Sequence, residues 1–312
     1  MFGARMNPLK GPWLKVFTKL ARKYRRSRPP LKQLFNAAGF HLVPADCYAA
    51  IPSVDEIENS FEYRPGPAPY LDSGIFDNAK MLAFLDELQP YCREFDAPQD
   101  GDRERPDGFF WQNRWFMAAD AMSYYAILRQ LKPKRILEIG CGFSTLVASR
   151  AIDKNGVGEI HGIEPFPREF VRSIQHLKEL HVKPVQEMPL EFFSNLLRDG
   201  DVLFIDTTHT VKTGCDCLWL YLKILPKLAA KLSIHVHDIW LPEAFPKDMQ
   251  LQQNFFWTEQ YLLLALLTGN PRYEVLFGSN YHRVVNPARL IQFMAGKVDP
   301  AANGGSFWFR SQ

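Results

Sequence analysis

The sequence lacks the patterns of several familiar protein classes. Its longest apolar run, residues 261–267, is too short to cross a bilayer, and the first residues have no apolar core of a signal peptide. The 5 cysteines include no CxxC pair, which argues against a disulfide framework and against a structural zinc site. No internal repeat of about 20–50 residues is visible. We therefore expect a cytoplasmic protein with an ordinary hydrophobic core.

Acidic residues are absent from residues 1–28, which contain nine Lys or Arg residues. The whole chain has 37 basic and 34 acidic residues, so the remainder is mildly acidic. Residues 13–28 fit an amphipathic basic helix that ends before Pro29. Such a helix packs on the body or on a second copy of the chain, or it contacts an anionic membrane from a membrane-peripheral location. Nucleic acid is not expected as a partner, because the basic pattern does not continue.

Prolines and turn signals are frequent in residues 31–75, whereas residues 109–131 are dense in aromatic residues and then helical. We divide the chain into a basic arm (1–30), an N-terminal extension (31–108) and one catalytic domain (109–312). The aromatic segment comes directly before the motif described next, so it can contribute to the wall of a ligand pocket. The candidates for that wall are Trp111, Asn113, Trp115 and Asp120.

Residues 134–149, KRILEIGCGFSTLVAS, place an apolar strand, a glycine turn and a helix start in immediate succession. The apolar residues before the turn fit a parallel strand that is covered on both faces. Gly140 and Gly142 permit a tight turn close to a ligand, and Ser144 or Thr145 can cap the helix that follows. The stretch therefore predicts a cradle for a nucleotide.

Strand and helix patterns alternate after this cradle. Strands are expected at residues 159–164, 182–185, 201–206 and 232–236. Helices are expected at residues 168–180, 190–197, 215–228 and 255–267. The alternation predicts a twisted, mostly parallel sheet with helices on both faces. Two late strands, 273–277 and 306–309, are expected to form an antiparallel pair at one edge.

Ligands of such sheets bind at the carboxyl ends of the strands. The polar residues expected on that rim are Glu138, Glu164, Glu187, Asp206, His237 and Asp238. A dinucleotide-binding GxGxxG motif would have its third glycine where this chain has Thr145. A nicotinamide-dependent oxidoreductase is therefore disfavoured, and it remains the alternative function for a Rossmann-like fold.

Glu138, Gly140 and Gly142 resemble the acid-x-Gly-x-Gly motif of the class I methyltransferases that use S-adenosylmethionine. Glu164 resembles the acid that ends their second strand and holds the ribose hydroxyls. A closer resemblance, to a bacterial methyltransferase family often found among carbohydrate-modifying genes, runs from about residue 109 to the end. It is carried by IEPFP, KPVQEMPLEFF, DVLFIDTTHTVKTG, HVHDIWLP and FFWTEQYLLLALL. The resemblance implies a Rossmann-like fold, S-adenosylmethionine as cofactor, and these cofactor-binding residues: Glu138, Gly140, Gly142, Ser144, Glu164, Glu187 and Asp206.

Methyl transfer needs a group that helps the acceptor to lose a proton. In catechol O-methyltransferase and the macrolide-sugar methyltransferases, acids after strands four and five hold magnesium. Asp206, His237 and Asp238 stand at the corresponding positions of this chain and resemble that metal site. The resemblance implies a divalent metal held by these three residues, and the imidazole favours Zn, Mn or Fe over Mg. The metal-free alternative makes His209 the general base, oriented by Asp206 or Asp238. We expect His235 to be a core residue.

The predicted function is therefore O-methylation of a hydroxylated small molecule or sugar by an S-adenosylmethionine-dependent enzyme. The residues expected to contact the acceptor are Trp111, Asn113, Lys212 and Trp257. The second rival is a non-catalytic binding or membrane-surface protein that keeps the same fold and uses the basic arm.

Overall fold

The computed structural model describes residues 12–25, 29–41, 43, 46–102, 108–297 and 304–312. Residues 1–60 and residues 61–312 form two compact units. The described helices of the first unit are α1 (Pro12–Arg25), α2 (Pro29–Ala37) and α3 (Val54–Glu58).

Helix α1 forms where the sequence predicts a helix, although the predicted end, residues 26–28, lies outside the described residues. Tyr24 packs edge-on against Phe35 of α2, with the ring centroids 4.8 Å apart. The side chains of Val16 and Leu20 are 46% and 57% exposed. Contact of this helix with a membrane surface stays a prediction. Among the described residues, no helix is both long enough and apolar enough to span a bilayer.

The second unit is built on one sheet, to which the described residues contribute seven strands. These are β1 (Arg135–Ile139), β2 (Glu159–Ile163), β3 (Leu177–His181), β4 (Val202–Ile205), β5 (Ser233–Val236), β6 (Tyr273–Gly278) and β7 (Phe307–Ser311). Their order is β3-β2-β1-β4-β5-β7-β6, with β1 to β5 parallel and β7 antiparallel to both neighbours. The predicted fold, a mostly parallel sheet with an antiparallel edge pair, is confirmed.

Both faces of the sheet are covered by apolar side chains, which explains the short continuous apolar runs of the sequence. Ile136 and Phe204 belong to the hydrophobic cluster on one face, and their neighbours Leu137 and Leu203 to the cluster on the other. Successive side chains of a strand point to opposite faces, so each strand serves both clusters.

Helices of the second unit cover these two faces. Their described bounds are α4 (Asn78–Glu94), α5 (Ala118–Leu131), α6 (Phe143–Asn155), α7 (Leu190–Leu196), α8 (Asp216–Trp219), α9 (Lys247–Gln253), α10 (Glu259–Leu267), α11 (Ser279–Val285) and α12 (Pro287–Phe293). Helix α4 comes from the predicted N-terminal extension and packs against α5 and β6.

The segment after β2 differs from the prediction. Where the sequence favours a helix at residues 168–180, the structure has a short 3-10 helix, Glu169–Ser173, followed by strand β3. The predicted strand at residues 182–185 is wrong. Leu, Lys and Glu favour a helix by intrinsic propensity, but pairing of this edge strand with β2 overrides that preference.

Two later helices are shorter than predicted. Residues 215–228 form α8, a π-helical turn (Leu220–Ile224) and a 3-10 turn (Leu225–Lys227). Pro226 cannot donate a backbone hydrogen bond, which is consistent with the break. The helix predicted at residues 255–267 begins only at Glu259, and Trp257 therefore lies in an irregular segment.

Candidate active site

A cavity of about 260 Å³, here called the glycine-loop cavity, lies at the turn between β1 and α6. Gly140, Gly142 and Ser144 all line it. Gly140 has a φ of +86°, and a Cβ atom there would lie 2.4 Å from the carbonyl oxygen of Asp206. Among the described residues, apart from the chain neighbours, no atom lies within 4 Å of the position that a Cβ on Gly142 would take. The turn thus combines the backbone freedom and the open space that a ligand cradle needs.

Glu164 follows β2 and lines the same cavity. Its Oε1 accepts a hydrogen bond from the N–H of Phe166 at 2.7 Å, and its Oε2 accepts one from the N–H of Cys141 at 3.3 Å. These bonds connect the end of β2 with the turn after β1 and fix the carboxylate at the cavity wall. A carboxylate held in this way can accept hydrogen bonds from the hydroxyl groups of a ribose.

Glu138 is fully buried and does not line this cavity. Its Oε1 accepts a hydrogen bond from the Tyr124 hydroxyl at 2.8 Å, and its Oε2 accepts one from the Thr145 hydroxyl. The Thr145 oxygen in turn accepts the N–H of Gly142 at 2.9 Å. Burial raises the pKa of Glu138 to about 7, against the two hydrogen bonds, which lower it. Glu138 therefore supports the glycine turn through Thr145, which stands where a dinucleotide motif has its third glycine.

Aromatic and cationic side chains close one side of the glycine-loop cavity. Trp115 stacks on Phe143 with the ring centroids 5.1 Å apart, and the guanidinium carbon of Arg168 lies 4.0 Å from the centroid of the Trp115 ring. Half of the Trp115 surface, 51%, stays exposed. Trp115 and its neighbour Phe116 are thus the members of the aromatic segment that line the glycine-loop cavity.

Trp111 and Asn113 serve the fold, which corrects their assignment to the substrate pocket. Trp111 is 2% exposed and packs edge-on against Phe95. Asn113 is 3% exposed, donates to the carbonyl of Phe116 at 2.9 Å and accepts the N–H of Trp115 at 3.0 Å. These local hydrogen bonds turn the Asn113 side chain inward and hold Trp115 at the cavity.

Four carboxylates and two imidazoles meet where β4 and β5 end, and we call this group the charged cluster. Its members are Asp120, Asp206, His209, His237, Asp238 and Glu259. Asp206 also lines the glycine-loop cavity. The cavity and the cluster are therefore neighbours that share one residue.

His209 is held between carboxylates on both sides of its ring. Its Nδ1 lies 2.8 Å from Oε2 of Glu259, and that oxygen also accepts the Thr207 hydroxyl at 2.6 Å. Its Nε2 lies 3.1 Å from Oδ1 of Asp206 and 3.4 Å from Oδ2 of Asp238. Burial acts to lower the pKa of His209, but the hydrogen bonds with Asp206 and Glu259 raise it to about 10.

His237 is hydrogen-bonded to Asp120, whose Oδ2 lies 3.3 Å from Nε2 of the imidazole. Nδ1 of His237 lies 3.6 Å from Oδ1 of Asp206 and 3.6 Å from Oδ2 of Asp238, and it has no hydrogen-bond partner among the described residues. Burial acts to lower the pKa of His237, but the charges of Asp238 and Asp206 hold it well above its ordinary value. Asp120 is fixed in turn by the N–H of Ser306 at 2.7 Å.

The two rim aspartates have shifted pKa values. Burial would raise the pKa of Asp206, but the charge of His237 and the hydrogen bond from His209 hold it well below its ordinary value. Burial raises the pKa of Asp238 against the pull of the two imidazoles. Asp238 has a φ of +56°, and a Cβ on Gly305 would lie 2.7 Å from its Cα, so a glycine is required beside it.

The charged cluster fits a divalent cation. Ligand atoms of Asp206, His209 and Asp238 all lie within 4.8 Å of one another. The predicted set had His237 in place of His209, and the unpartnered Nδ1 of His237 adjoins the same two carboxylates. Two carboxylates and an imidazole suit Mn, Zn or Fe as well as Mg. The carboxylates already favour the protonated form of both imidazoles, so the site attracts positive charge.

Other predicted residues divide between the cluster, the surface and the core. The ring of Trp257 lies 4.6 Å from that of His209, so Trp257 adjoins the cluster. Glu187 and Lys212 are exposed and line neither the glycine-loop cavity nor the larger cavity described below. His235 is fully buried, with its Nε2 2.8 Å from the Ser306 hydroxyl, and it serves the core.

Sequence reasoning missed several residues of the site, of which four have a stated role. Glu259 and Thr207 hold His209, whereas Phe166 and Arg168 line the glycine-loop cavity. Thr207 and Phe166 follow strand ends, a position that could have marked them. Glu259 lies 50 residues beyond His209 at the start of α10, where no strand end identifies it.

Parts of this chain are similar in sequence to known proteins. Residues 137–239 match the model of a family described as a methyltransferase domain. An uncharacterized protein of Archaeoglobus fulgidus is 30% identical over 160 residues, which are 49% of this chain and 72% of that protein.

Two solved structures are similar at low identity. The O-methyltransferase TomG from Streptomyces achromogenes, in complex with SAM, is 14% identical, with 73% of this chain and 88% of that chain covered and a TM-score of 0.36. The O-methyltransferase from Bacillus cereus, in complex with SAH, is 11% identical, with coverages of 76% and 92% and a TM-score of 0.36.

The fold and the glycine-loop cavity define a Rossmann-like enzyme of the class I methyltransferase type. The chain belongs to the same family as the archaeal protein, and its residues 137–239 are a methyltransferase domain. The resemblance to the class I methyltransferases is confirmed, and the nicotinamide alternative is not favoured. The closer resemblance, to a bacterial family found among carbohydrate-modifying genes, stays a prediction.

Proposed function

We propose that the protein transfers a methyl group from S-adenosylmethionine to an oxygen atom of a hydroxylated small molecule or sugar. The observation that carries this proposal is the position of Asp206, which lines the glycine-loop cavity and also belongs to the charged cluster. A donor bound in the cavity would therefore lie beside the groups that manage the proton of the acceptor.

The glycine-loop cavity suits the donor by shape and charge. The open space at Gly142 admits a ligand close to the backbone, and Glu164 presents a carboxylate to ribose hydroxyls. The donor is a sulfonium cation, and Asp206 stays ionised at the cavity wall, where it favours a positive charge.

The charged cluster supplies the proton chemistry. Displacement at the methyl group needs an acceptor oxygen held in line, and the oxygen must lose its proton. Glu259 fixes Nδ1 of His209, which directs Nε2 toward Asp206 and Asp238. We place the acceptor hydroxyl on this side of His209. Asp238, whose pKa is raised by burial, would take the proton, and the protonated imidazole of His209 would hold the charge of the carboxylates beside it.

Asp206, His209 and Asp238 are the proposed ligands of a divalent cation. Such a cation, when bound, lowers the pKa of a hydroxyl group and stabilises the resulting oxyanion. Elemental analysis of protein purified without chelator tests this part, with Asp238→Asn as the variant that should lose the metal. Full activity in EDTA, together with metal-free protein, would exclude the metal and leave a metal-free base, either Asp238 or His209.

Isothermal titration and a methylation assay test the function. We expect S-adenosylhomocysteine to bind and NAD not to bind, and a metabolite library should contain an acceptor of label from methyl-labelled S-adenosylmethionine. Binding of NAD instead would indicate an oxidoreductase. Binding of neither nucleotide would indicate a protein that keeps the fold without catalysis.

A further inference from the structure

A second, larger cavity of about 740 Å³ lies in the same unit of the structure. Its walls come from the segment 62–71, the loop 240–247, helix α11 and Gly304. The loop 240–247 begins two residues after Asp238, so the cavity opens at the carboxyl end of β5, on the rim where ligands of such sheets bind.

Two of its wall residues connect the large cavity to the charged cluster. Gly304 lines the cavity, and the next residue, Gly305, packs directly on the backbone of Asp238. Trp240 also lines it, with its ring centroid 6.1 Å from that of Trp257, which lies against His209. No residue of the charged cluster lines the cavity itself, and the wall is one residue removed from the cluster, through Gly305 and through Trp257.

The walls are tied together before any ligand binds. The Tyr63 hydroxyl donates to the carbonyl of Phe245 at 2.7 Å, and the N–H of Tyr70 donates to the carbonyl of Pro242 at 3.0 Å. These bonds join the N-terminal segment to the loop after β5, so the cavity is preformed, as most small-molecule sites are.

The charges of the cavity wall are unbalanced. The carboxylate of Glu243 is paired with Arg283, and that of Glu62 accepts the hydroxyls of two tyrosines. No carboxylate of the described residues lies within 4.0 Å of the cationic atoms of Arg64 or Lys247. The acids of the wall are therefore engaged, whereas two of its cations keep their capacity to bind an anion.

We propose that the large cavity is the acceptor site and that the acceptor is an anionic hydroxylated molecule, whose carboxylate or phosphate group binds Arg64 and Lys247. The proposal rests on the proposed function, and it names the substrate class of that same site. Trp240 would contact the uncharged part of the molecule, and the Tyr63 ring, whose centroid lies 5.5 Å from Nζ of Lys247, would support that ammonium group.

Paired probes test the charge preference by isothermal titration of protein saturated with S-adenosylhomocysteine. The neutral probes are D-glucose and catechol; the anionic probes are D-glucuronate and 3,4-dihydroxybenzoate for the carboxylate, and D-glucose 6-phosphate for the phosphate. We expect at least one anionic probe to bind about fivefold or more tighter than its neutral partner, and the preference to fall with added salt. Equal binding within every pair, or no binding of any anion, overturns the proposal.

Two variants locate the binding site. Arg64→Ala and Lys247→Ala should each reduce the preference for the anion, whereas Lys231→Ala, an exposed lysine outside the cavity, should not. Anion binding that survives both cavity variants would place the site elsewhere and overturn the assignment.

The titrations distinguish failure of the methyltransfer proposal from failure of the anion-site proposal. If S-adenosylhomocysteine does not bind, the methyltransfer proposal fails and the titrations are repeated without it. A preference for anions that still depends on Arg64 and Lys247 would then keep the cavity as an anion site and remove its role as a methyl acceptor site.

Discussion

The carbonyl oxygen of Asp206 occupies the space where a Cβ atom on Gly140 would lie, at 2.4 Å. The turn after β1 and the end of β4 are thus in direct backbone contact. Asp206 carries its carboxylate from this contact into the charged cluster, 3.1 Å from Nε2 of His209. The packing of a glycine therefore determines how the nucleotide cradle sits relative to the reactive groups.

The two glycines of the turn should respond differently to alanine. Gly140→Ala adds a Cβ against backbone at a positive φ, and we expect it to lower the free energy of unfolding by about 2 kcal/mol or more. Gly142→Ala lies at an extended φ with open space around it. We expect its free energy of unfolding to be unchanged and its affinity for S-adenosylhomocysteine to fall by about tenfold or more. Thermal unfolding and titration measure the two effects. A stable Gly140→Ala protein would contradict the reason given for that glycine.

Glu164 should matter for the cofactor, whereas Glu187 should not. Glu164→Ala removes the carboxylate at the cavity wall, and we expect the affinity for S-adenosylhomocysteine to fall about tenfold or more. Glu187→Ala is the matched control, because Glu187 is exposed and does not line the cavity. An affinity of Glu164→Ala equal to that of the unmodified protein would remove Glu164 from the ribose role. Loss of affinity in Glu187→Ala would instead place Glu187 among the cofactor-binding residues, as the sequence predicts.

Glu138 should make stability depend on pH. Its pKa rises from the ordinary 4.5 to about 7 in the folded protein, because the folded state favours the protonated carboxyl group. The resulting contribution of Glu138 to the free energy of unfolding is fully present below about pH 4.5 and is lost as the pH rises through 7. The difference between the two pKa values corresponds to about 3 kcal/mol of unfolding free energy. Glu138→Gln keeps partners for Tyr124 and Thr145 but cannot ionise. We expect the free energy of unfolding of Glu138→Gln, compared with that of the unmodified protein, to increase between pH 5 and pH 8. Denaturant unfolding measures both values, and a difference that does not change with pH would contradict the raised pKa.

Local patterns predicted most of the fold because the strands are short, apolar and buried on both faces. The exception is β3, an edge strand that pairs only with β2 and keeps two exposed residues. Its Leu-Lys-Glu composition favours a helix, and only the tertiary pairing with β2 decides for a strand. Such pairing leaves no signal in the segment itself.

The charged cluster was predictable in part for a topological reason. Asp206, His237 and Asp238 follow neighbouring parallel strands, so their meeting follows from strand order. Glu259 comes from a helix start, and no rule about strand ends applies to it. The burial of Trp111 and Asn113 was not predicted, because composition does not reveal the contacts that cause it. Hydrogen bonds within its own loop turn Asn113 inward, and Trp111 packs edge-on against Phe95.

Glu259 should act as a positioning residue for His209. Its buried carboxylate holds Nδ1 of the imidazole at 2.8 Å, and an amide in its place would weaken that hold without changing the shape of the site. We expect Glu259→Gln to lower kcat of methyl transfer about 10–100-fold, the range found for residues that orient a metal ligand or base, with the affinity for S-adenosylhomocysteine unchanged within about twofold.

Thr207→Val is the comparison variant for this prediction. It removes the other hydrogen bond to the same Glu259 oxygen and the one that the Thr207 hydroxyl accepts from the His209 N–H, but it leaves the contact between the imidazole and Glu259 in place. If Glu259 only stabilises the fold, both variants should lower the unfolding temperature and leave kcat alone. If it positions His209, kcat should fall far more in Glu259→Gln than in Thr207→Val, and rescue by Glu259→Asp should be partial because the shorter side chain keeps the charge but not the distance.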